Sequence, residues 1–467
     1  MTAALAVMPR RSYAYARVRY GPPVAPVRPA LPLTGLPPGP RCAPLLQAAL
    51  WNRRAQWLLG QCARRFGDTF TLRIAGQGTW VVISHPRDVE TAFKADPEIA
   101  RAGEGNRILE PLVGPHSVLV LDGRAHLRER RLMLPAFHGA RMASYRELIA
   151  GIARAEIDRW PRGEPQRLRP RMQALTLEVI LHAVLGVSDP ARREELRRAL
   201  RRLLAMGTDP RWGAVFVTLG SEHLERFGPF RRVRDPVDRL IYAEIAERRG
   251  EDRDGVDGDG RADIMSMLLS ARHEDGSPMS DAELRDELVT LLVAGHETTA
   301  NALAWAAERL ARHPAMLARL AEEARAGGES AYVSAVVQET LRLRPVISIV
   351  QRVLAEPFSV AGYELPAGTV LVPALYLVNR RADVYPDPER FDPERFLGRP
   401  PGTYTWIPFG GGVRRCLGAA FAQFEMETVL HELAARAHIA PVRAGSEPVL
   451  RRAVTETPRH DAEVLIS

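Results

Sequence analysis

The chain has 467 residues, 46% hydrophobic, 26% charged and 6% aromatic, proportions that exclude a disordered or fibrous protein. Its 64 basic and 56 acidic residues leave a net charge of +8; Lys94 is the sole lysine, and arginine spread along the chain does not make the clustered footprint of a nucleic-acid binder. Three cysteines, Cys42, Cys62 and Cys416, cannot build a disulfide framework, and no apolar run approaches the roughly 18 residues of a membrane helix.

The short run Ala3 to Met8 precedes its arginines, unlike a signal peptide, so the reading is a cytoplasmic monomer with no integral membrane span. Eight prolines between Tyr20 and Pro40 are too dense for helix or paired strand. Residues 1–40 are therefore an extended lead-in, and the folded body begins near residue 41. From Asp68 to Ser84 the pattern alternates: Phe70, Leu72 and Ile74 share a face, AGQG supplies a turn, and Trp80 and Val82 resume. This predicts a β-hairpin. Farther on, Leu196, Leu200, Leu203 and Leu204 stripe a helix whose other face is rich in arginine interleaved with Glu194 and Glu195, a solvated outer face. The Asp/Gly-rich run Glu251–Gly260 lacks calcium-loop spacing and reads as a connector.

The clearest helix is Asp281–Arg312. Ser280 and Glu283 form a capping box at its start, and His313-Pro314 stops it. Unbroken, it runs about 48 Å. A second β-rich stretch follows from Val350 to Pro373, and Ala419–Leu433 has helical periodicity.

Ahead of that last helix lies FGGGVRRCLG, residues 409–418. Gly410, Gly411 and Gly412 admit backbone conformations closed to other residues and let the main chain approach a flat ligand. Cys416 stands at the helix N-terminus, where orphan N–H groups and the dipole lower a thiol pKa and favour metal ligation. Zinc is poorly supported without a C-x-x-C or paired histidines, and a phosphate cradle without Gly-Lys-Ser/Thr.

Phe409, Gly412, Arg414, Cys416 and Gly418 fit F-x-x-G-x-R-x-C-x-G, and the segment resembles the haem-ligating loop of the cytochrome P450 family of haem-thiolate monooxygenases. Three further motifs fall in the family's order. AGHETT, Ala294–Thr299, resembles its oxygen-binding groove: the resemblance implies that Ala294 and Gly295 clear room over the haem and that Glu297 and Thr298 relay protons. ETLR resembles E-x-x-R and pairs Glu339 with Arg342. PERF at 393–396, preferred over the copy at 388–391 that carries Arg390, brings Arg395 to that pair in a structural cluster. His126 and Arg130, one helical turn apart, match the family's propionate-binding helix, with Arg352 and Arg414 as further propionate partners.

The resemblance, spanning about residues 37–460, implies a mainly α-helical triangular prism with a small β-rich side, one domain over 41–467, and haem b (iron protoporphyrin IX) held through Cys416. It implies monooxygenation with O2 and two electrons from outside, because the chain has no flavin or iron–sulfur motif. An acidic ferredoxin or flavodoxin with its NAD(P)H reductase would dock on Arg124, Arg128, Arg131 and Arg415. Ile108, Leu109, Leu112, Val113, Leu292, Ala294, Val346, Ile347 and Ile349 line the implied pocket, which suits a small apolar substrate such as a fatty acid, terpene or steroid. A haem-thiolate isomerase or peroxygenase would not need the Glu297–Thr298 relay, and a haem-based sensor would need a signalling domain that is not apparent.

Overall fold

The hairpin forms where alternation predicts it. β1 (Thr69–Ile74) pairs antiparallel with β2 (Gly78–Ile83), setting Phe70 opposite Val82 and Leu72 opposite Trp80. These side chains pack with Trp51, Leu58 and Leu59 of helix α1 (Pro44–Phe66). The other face of β2, Val81 and Ile83, meets Val89 and Phe93 of α2 (Pro86–Lys94). Burial on both faces explains the unbroken apolar run from Trp80 to Ile83.

With β3 (Ala100–Arg101), β5 (Arg352–Leu354) and β8 (Val370–Pro373), the sheet has five strands in the order β1-β2-β8-β5-β3, parallel only between β2 and β8. β4 (Pro165–Arg167), β9 (Ile439–Pro441) and β12 (Glu463–Ile466) form a second sheet. Two hairpins complete the β-rich side, one of β6 (Phe358–Val360) with β7 (Tyr363–Leu365), the other of β10 (Val449–Arg452) with β11 (Thr455–Pro458).

The computed structural model describes residues 35–137, 141–187, 189–208, 223–224, 226–253, 263–327 and 330–467. Most of the proline-rich lead-in and most of the Glu251–Gly260 run lie outside the described residues. The longer helices after α2 are α3 (Gly123–Met133), α4 (Arg141–Ile157), α5 (Leu168–Ile180), α6 (Pro190–Thr208), α7 (Gly228–Arg253), α8 (Asp281–Ala311), α9 (Pro314–Ala326), α10 (Ala331–Leu343) and α11 (Ala419–Arg436).

α8 is the axis of the fold. Its capping box is complete: Glu283 N–H donates to Ser280 Oγ at 3.2 Å and Ser280 N–H to Glu283 Oε2 at 2.8 Å. Thirty-one residues span about 46 Å. Leu284–Leu292 and Thr299–Ala311 are buried all round, against α5, α7, α10 and α11 among others. On α6, Leu196, Leu200 and Leu203 are buried. Two of its arginines reach neighbouring helices: Arg192 meets Glu244 and Glu247 of α7, and Arg197 meets Glu178 of α5.

Candidate functional site

Within α8 the burial is interrupted once. Val293, Ala294, Gly295, Glu297 and Thr298 are accessible between two fully buried stretches, so the middle of the helix presents an open stretch. Thr298 Oγ1 donates to the carbonyl of Ala294 at 2.6 Å, one turn back. Glu297 faces elsewhere. Its carboxylate accepts from Gln173 Nε2 and from Asn301 Nδ2 at 3.2 Å, and lies 3.5 Å from Arg169 Nη1 of α5. Arg169 is in turn held by Asp461 at 2.6 Å. No hydrogen bond joins Glu297 to Thr298 among the described residues.

Gly295 faces α5. A Cβ there would stand 2.8 Å from Ile180 Cδ1 of α5, so the absence of a side chain also admits the α5–α8 contact. Ala294 carries the opened face. The neighbouring His296 is buried against Thr176 Oγ1 at 2.9 Å, and burial pushes its pKa down to about 4.

The cysteine loop is folded on itself, Cys416 N–H donating to the Phe409 carbonyl at 3.0 Å. Phe409 stacks edge-on against Trp406 with centroids 5.9 Å apart. Gly410 and Gly412 take φ of +66° and +63°, closed to most side chains. Gly411 and Gly412 are also small because of Phe93: a Cβ would lie 2.2 Å from the Phe93 ring at Gly411 and 2.0 Å from the Phe93 carbonyl at Gly412. The glycines therefore admit α2 rather than only a ligand. Gly418 caps α11 with ordinary φ, and a Cβ there would have 3.9 Å to Phe137.

Cys416 has protein around it, yet its side chain is accessible, as at the floor of a deep cleft. Burial pushes its thiol pKa up, while the Gly418 N–H and the charges of Arg130 and Arg415 pull the other way. The helix end alone thus does not give a standing thiolate. Coordination to a metal does, since a bound ion deprotonates a thiol.

Near it gathers an excess of buried positive charge. Burial, then Arg414, Arg130 and Arg352, push the His126 pKa down to about 3. Arg352 and Arg414 are each pushed down to about 10, chiefly by burial, and Arg130 is lowered for the same reason. Among the described residues, the carboxylate offsetting the two deeply buried arginines is Asp122, 2.6 Å from Arg414 Nη2. Asp122 is already engaged with the backbone N–H groups of Gly103 and Glu104 at 2.7 and 2.8 Å. Arg414 also donates to the carbonyls of Val118 and Leu121, and Arg352 to its neighbour Gln351 at 2.8 Å. His126 Nδ1 is buried without a hydrogen-bond partner among the described residues. An accessible thiol beside three desolvated arginines and an orphaned imidazole nitrogen fits a metal macrocycle with anionic side arms, which is the chemistry of haem with its two propionates.

Glu339 and Arg342 form a fully buried bidentate pair at 2.6 and 2.8 Å, with Arg395 Nε 3.6 Å from the same carboxylate. Arg342 also donates to the carbonyls of Asn379, Pro388 and Arg390. The Arg390 side chain is exposed, so the later PERF copy supplies the third member.

Some expectations divide. Val113, Leu292 and Val346 are core residues, whereas Leu112, Ile347 and Ala294 keep accessible surface. Arg128 is held by Glu129 and Arg131 by Glu274; Arg124 and Arg415 are exposed.

The helical fold, its cysteine loop and the cationic cradle define a haem-thiolate protein. The chain belongs to the cytochrome P450 family, whose model matches residues 37–447, and it is a haem-dependent monooxygenase of that family. It is similar to cytochrome P450 135B1 of Mycobacterium tuberculosis, 44% identical over 438 residues, 92% of this chain and 91% of that one. It is also similar to cytochrome P450 135A1 of the same organism, 38% identical over 92% of this chain and 95% of that one. Among solved structures, retinoic acid-bound cyanobacterial CYP120A1 superposes with a TM-score of 0.79 at 24% identity, covering 92% of this chain and 99% of that one. The cytochrome P450DA heme domain gives 0.77 at 22% identity, covering 92% and 97%. At those identities the likeness is one of fold. No described helix is long and apolar enough to cross a membrane.

Proposed function

We propose that this chain oxygenates a small apolar molecule, a fatty acid, terpene or steroid, using electrons delivered by a separate acidic ferredoxin or flavodoxin and its NAD(P)H reductase in the cytoplasm. One domain over 41–467 carries the activity, and the protein works as a monomer. The observation that carries the reading is the excess of positive charge around His126, offset by Asp122 alone among the described residues, beside an accessible Cys416. Cys416 is the iron ligand; His126, Arg130, Arg352 and Arg414 hold the propionates; Phe409, Gly412 and Gly418 shape the loop. When bound, haem supplies the centre at which dioxygen is reduced and one oxygen atom is inserted into a C–H bond.

The residues of α8 manage protons. Thr298 Oγ1, parked on the Ala294 carbonyl at 2.6 Å, presents a hydroxyl to the opened stretch without cutting the helix. Glu297 holds its carboxylate in the α5 network with Gln173 and Arg169, and a rotamer change returns it toward the opening. That arrangement ties the acid to the α5 network until proton delivery draws it away. Arg124 and Arg415, both exposed, attract the acidic carrier, and charge attraction there acts on association rate.

The test is turnover with surrogate redox partners across a lipophilic library, with product and hydrogen peroxide both quantified. Thr298→Ala is expected to shift electrons from product to peroxide; unchanged coupling contradicts the proton role. Arg415→Glu should slow reduction at low salt and converge with wild type at high salt.

A further inference from the structure

A second cluster lies where α3 meets the start of α8. Glu129 of α3, His273 of the turn that bridges Arg272 to Pro278, and Glu283 of the first turn of α8 each present a ligand atom, all within 4.8 Å of one another. The site chemistry already described does not use these three. Glu283 is placed by the capping box and faces His273, but Glu129 and His273 each keep a polar atom that no hydrogen bond accounts for among the described residues. Glu129 is 1% exposed, one of its oxygens accepts from Arg128 Nε at 3.1 Å, and Oε2 has no partner among the described residues. His273 has its side chain 10% exposed, and Nδ1 is likewise unpartnered. One turn along α8, the fully buried Glu287 accepts from the Val118 N–H at 2.8 Å through Oε1 and leaves Oε2 unpartnered. Asp286 beside it is taken by His116 at 3.0 Å and Arg285 at 2.9 Å.

Buried carboxylate oxygens without donors are costly unless something positive meets them. We infer that Glu129, His273 and Glu283 bind a divalent cation of the zinc class, which pins α3 to the N-terminal turn of α8. One imidazole with two carboxylates suits zinc rather than calcium or magnesium, whose sites are built of oxygen. Two carboxylates neutralise the ion, and three protein ligands leave one position for water. Zinc bonds of about 2.0–2.2 Å put neighbouring ligand atoms about 3.4 Å apart. His273 Nε2 and Glu283 Oε2, 3.6 Å apart, are nearly there, and the remaining approach needs movements of about 1 Å, within side-chain reach. The consequence is mechanical. α3 carries His126 and Arg130, so the ion fixes the helix bearing the cationic cradle to the helix bearing Ala294 and Thr298.

The experiment is equilibrium dialysis of the haem-loaded full chain against Zn2+, with zinc read per haem by plasma mass spectrometry and the thermal midpoint read with and without zinc. Wild type should retain one zinc per chain and gain several degrees. Glu129→Gln and His273→Ala should each bind zinc at least tenfold more weakly. Glu283→Gln is the decisive variant, because glutamine still accepts the capping-box N–H while removing the charge: it should lose zinc without losing the helix. Mg2+ and Ca2+ should not substitute. Equal zinc uptake by wild type and the Glu283→Gln variant, or no zinc-dependent rise in the wild-type midpoint, overturns the site.

Discussion

This molecule holds two buried arginine clusters, and they are built on opposite terms. Around Glu339 the account is closed: Arg342 has its carboxylate at 2.6 and 2.8 Å and three carbonyls besides, and Arg395 approaches the same acid. Around His126 it is open: of three arginines and an imidazole, only Arg414 and Arg352 are offset by Asp122, itself already bound by two backbone N–H groups. A closed cluster joins parts of the chain, here α10 to the segment that leads into the cysteine loop. An open cluster awaits an anion from outside, and its strain is the fold's investment in the cofactor. Residue type alone does not separate the two; partner count does.

The largest effect should come from breaking the closed cluster. Arg342→Met leaves Glu339 buried without its bidentate partner, and should cost about 3–5 kcal/mol of stability, read as a fall in denaturant midpoint with or without haem. The same change at Arg352 should act in the reverse sense on haem-free protein, leaving stability unchanged or raising it by about 1 kcal/mol, since it removes an unmatched buried charge. Its cost appears instead in haem retention, weakened roughly tenfold or more for the loss of a charge-assisted contact. Equal behaviour of the two variants would erase the distinction.

His126 sharpens it through pH. Its folded pKa, about 3, lies below the ordinary 6.5, so the unfolded chain takes up a proton as pH falls through 6.5 and the folded chain does not until about 3. Stability from this group is therefore complete above pH 6.5 and is lost progressively below it, by at most about 2 kcal/mol between pH 7 and 5. An anion seated against the cluster raises the folded pKa, so the haem-loaded protein should show a shallower decline. Urea midpoints at pH 7 and 5 for both forms, beside His126→Phe, measure this; an equal slope in His126→Phe removes the assignment. The smallest effect belongs to Arg390→Ala, within about 0.5 kcal/mol because that side chain is exposed, against a larger loss for Arg395→Ala.

What the sequence disclosed was what is local. Period two at Phe70–Ile74, the Ser280–Glu283 capping box and the glycine run before Cys416 each determine a nearby backbone. The missing parts are partners far away along the chain. Nothing near Gly411 and Gly412 announces that Phe93 fills the space a side chain would take, and nothing near Gly295 points to Ile180. Glu297 was readable as an acid beside an alcohol, but its attachment to Gln173 and Arg169, 124 and 128 residues earlier, was not. Asp122 carried one faint signal, a helix-capping residue type just before Gly123, and its service to Arg414 emerges only from the folded chain. The thiol of Cys416 shows the limit of a local argument most plainly: helix position predicts a lowered pKa, and burial reverses the sign.

The central claim is that the Cys416 sulfur, as an anion, ligates the haem iron. Reduce the purified haem-loaded protein under carbon monoxide and record its absorption beside a Cys416→His variant with equal haem content. The account predicts the red-shifted band of thiolate ligation in wild type and its absence in the variant. A fully loaded wild type without that band, or a variant that keeps it, would contradict the account.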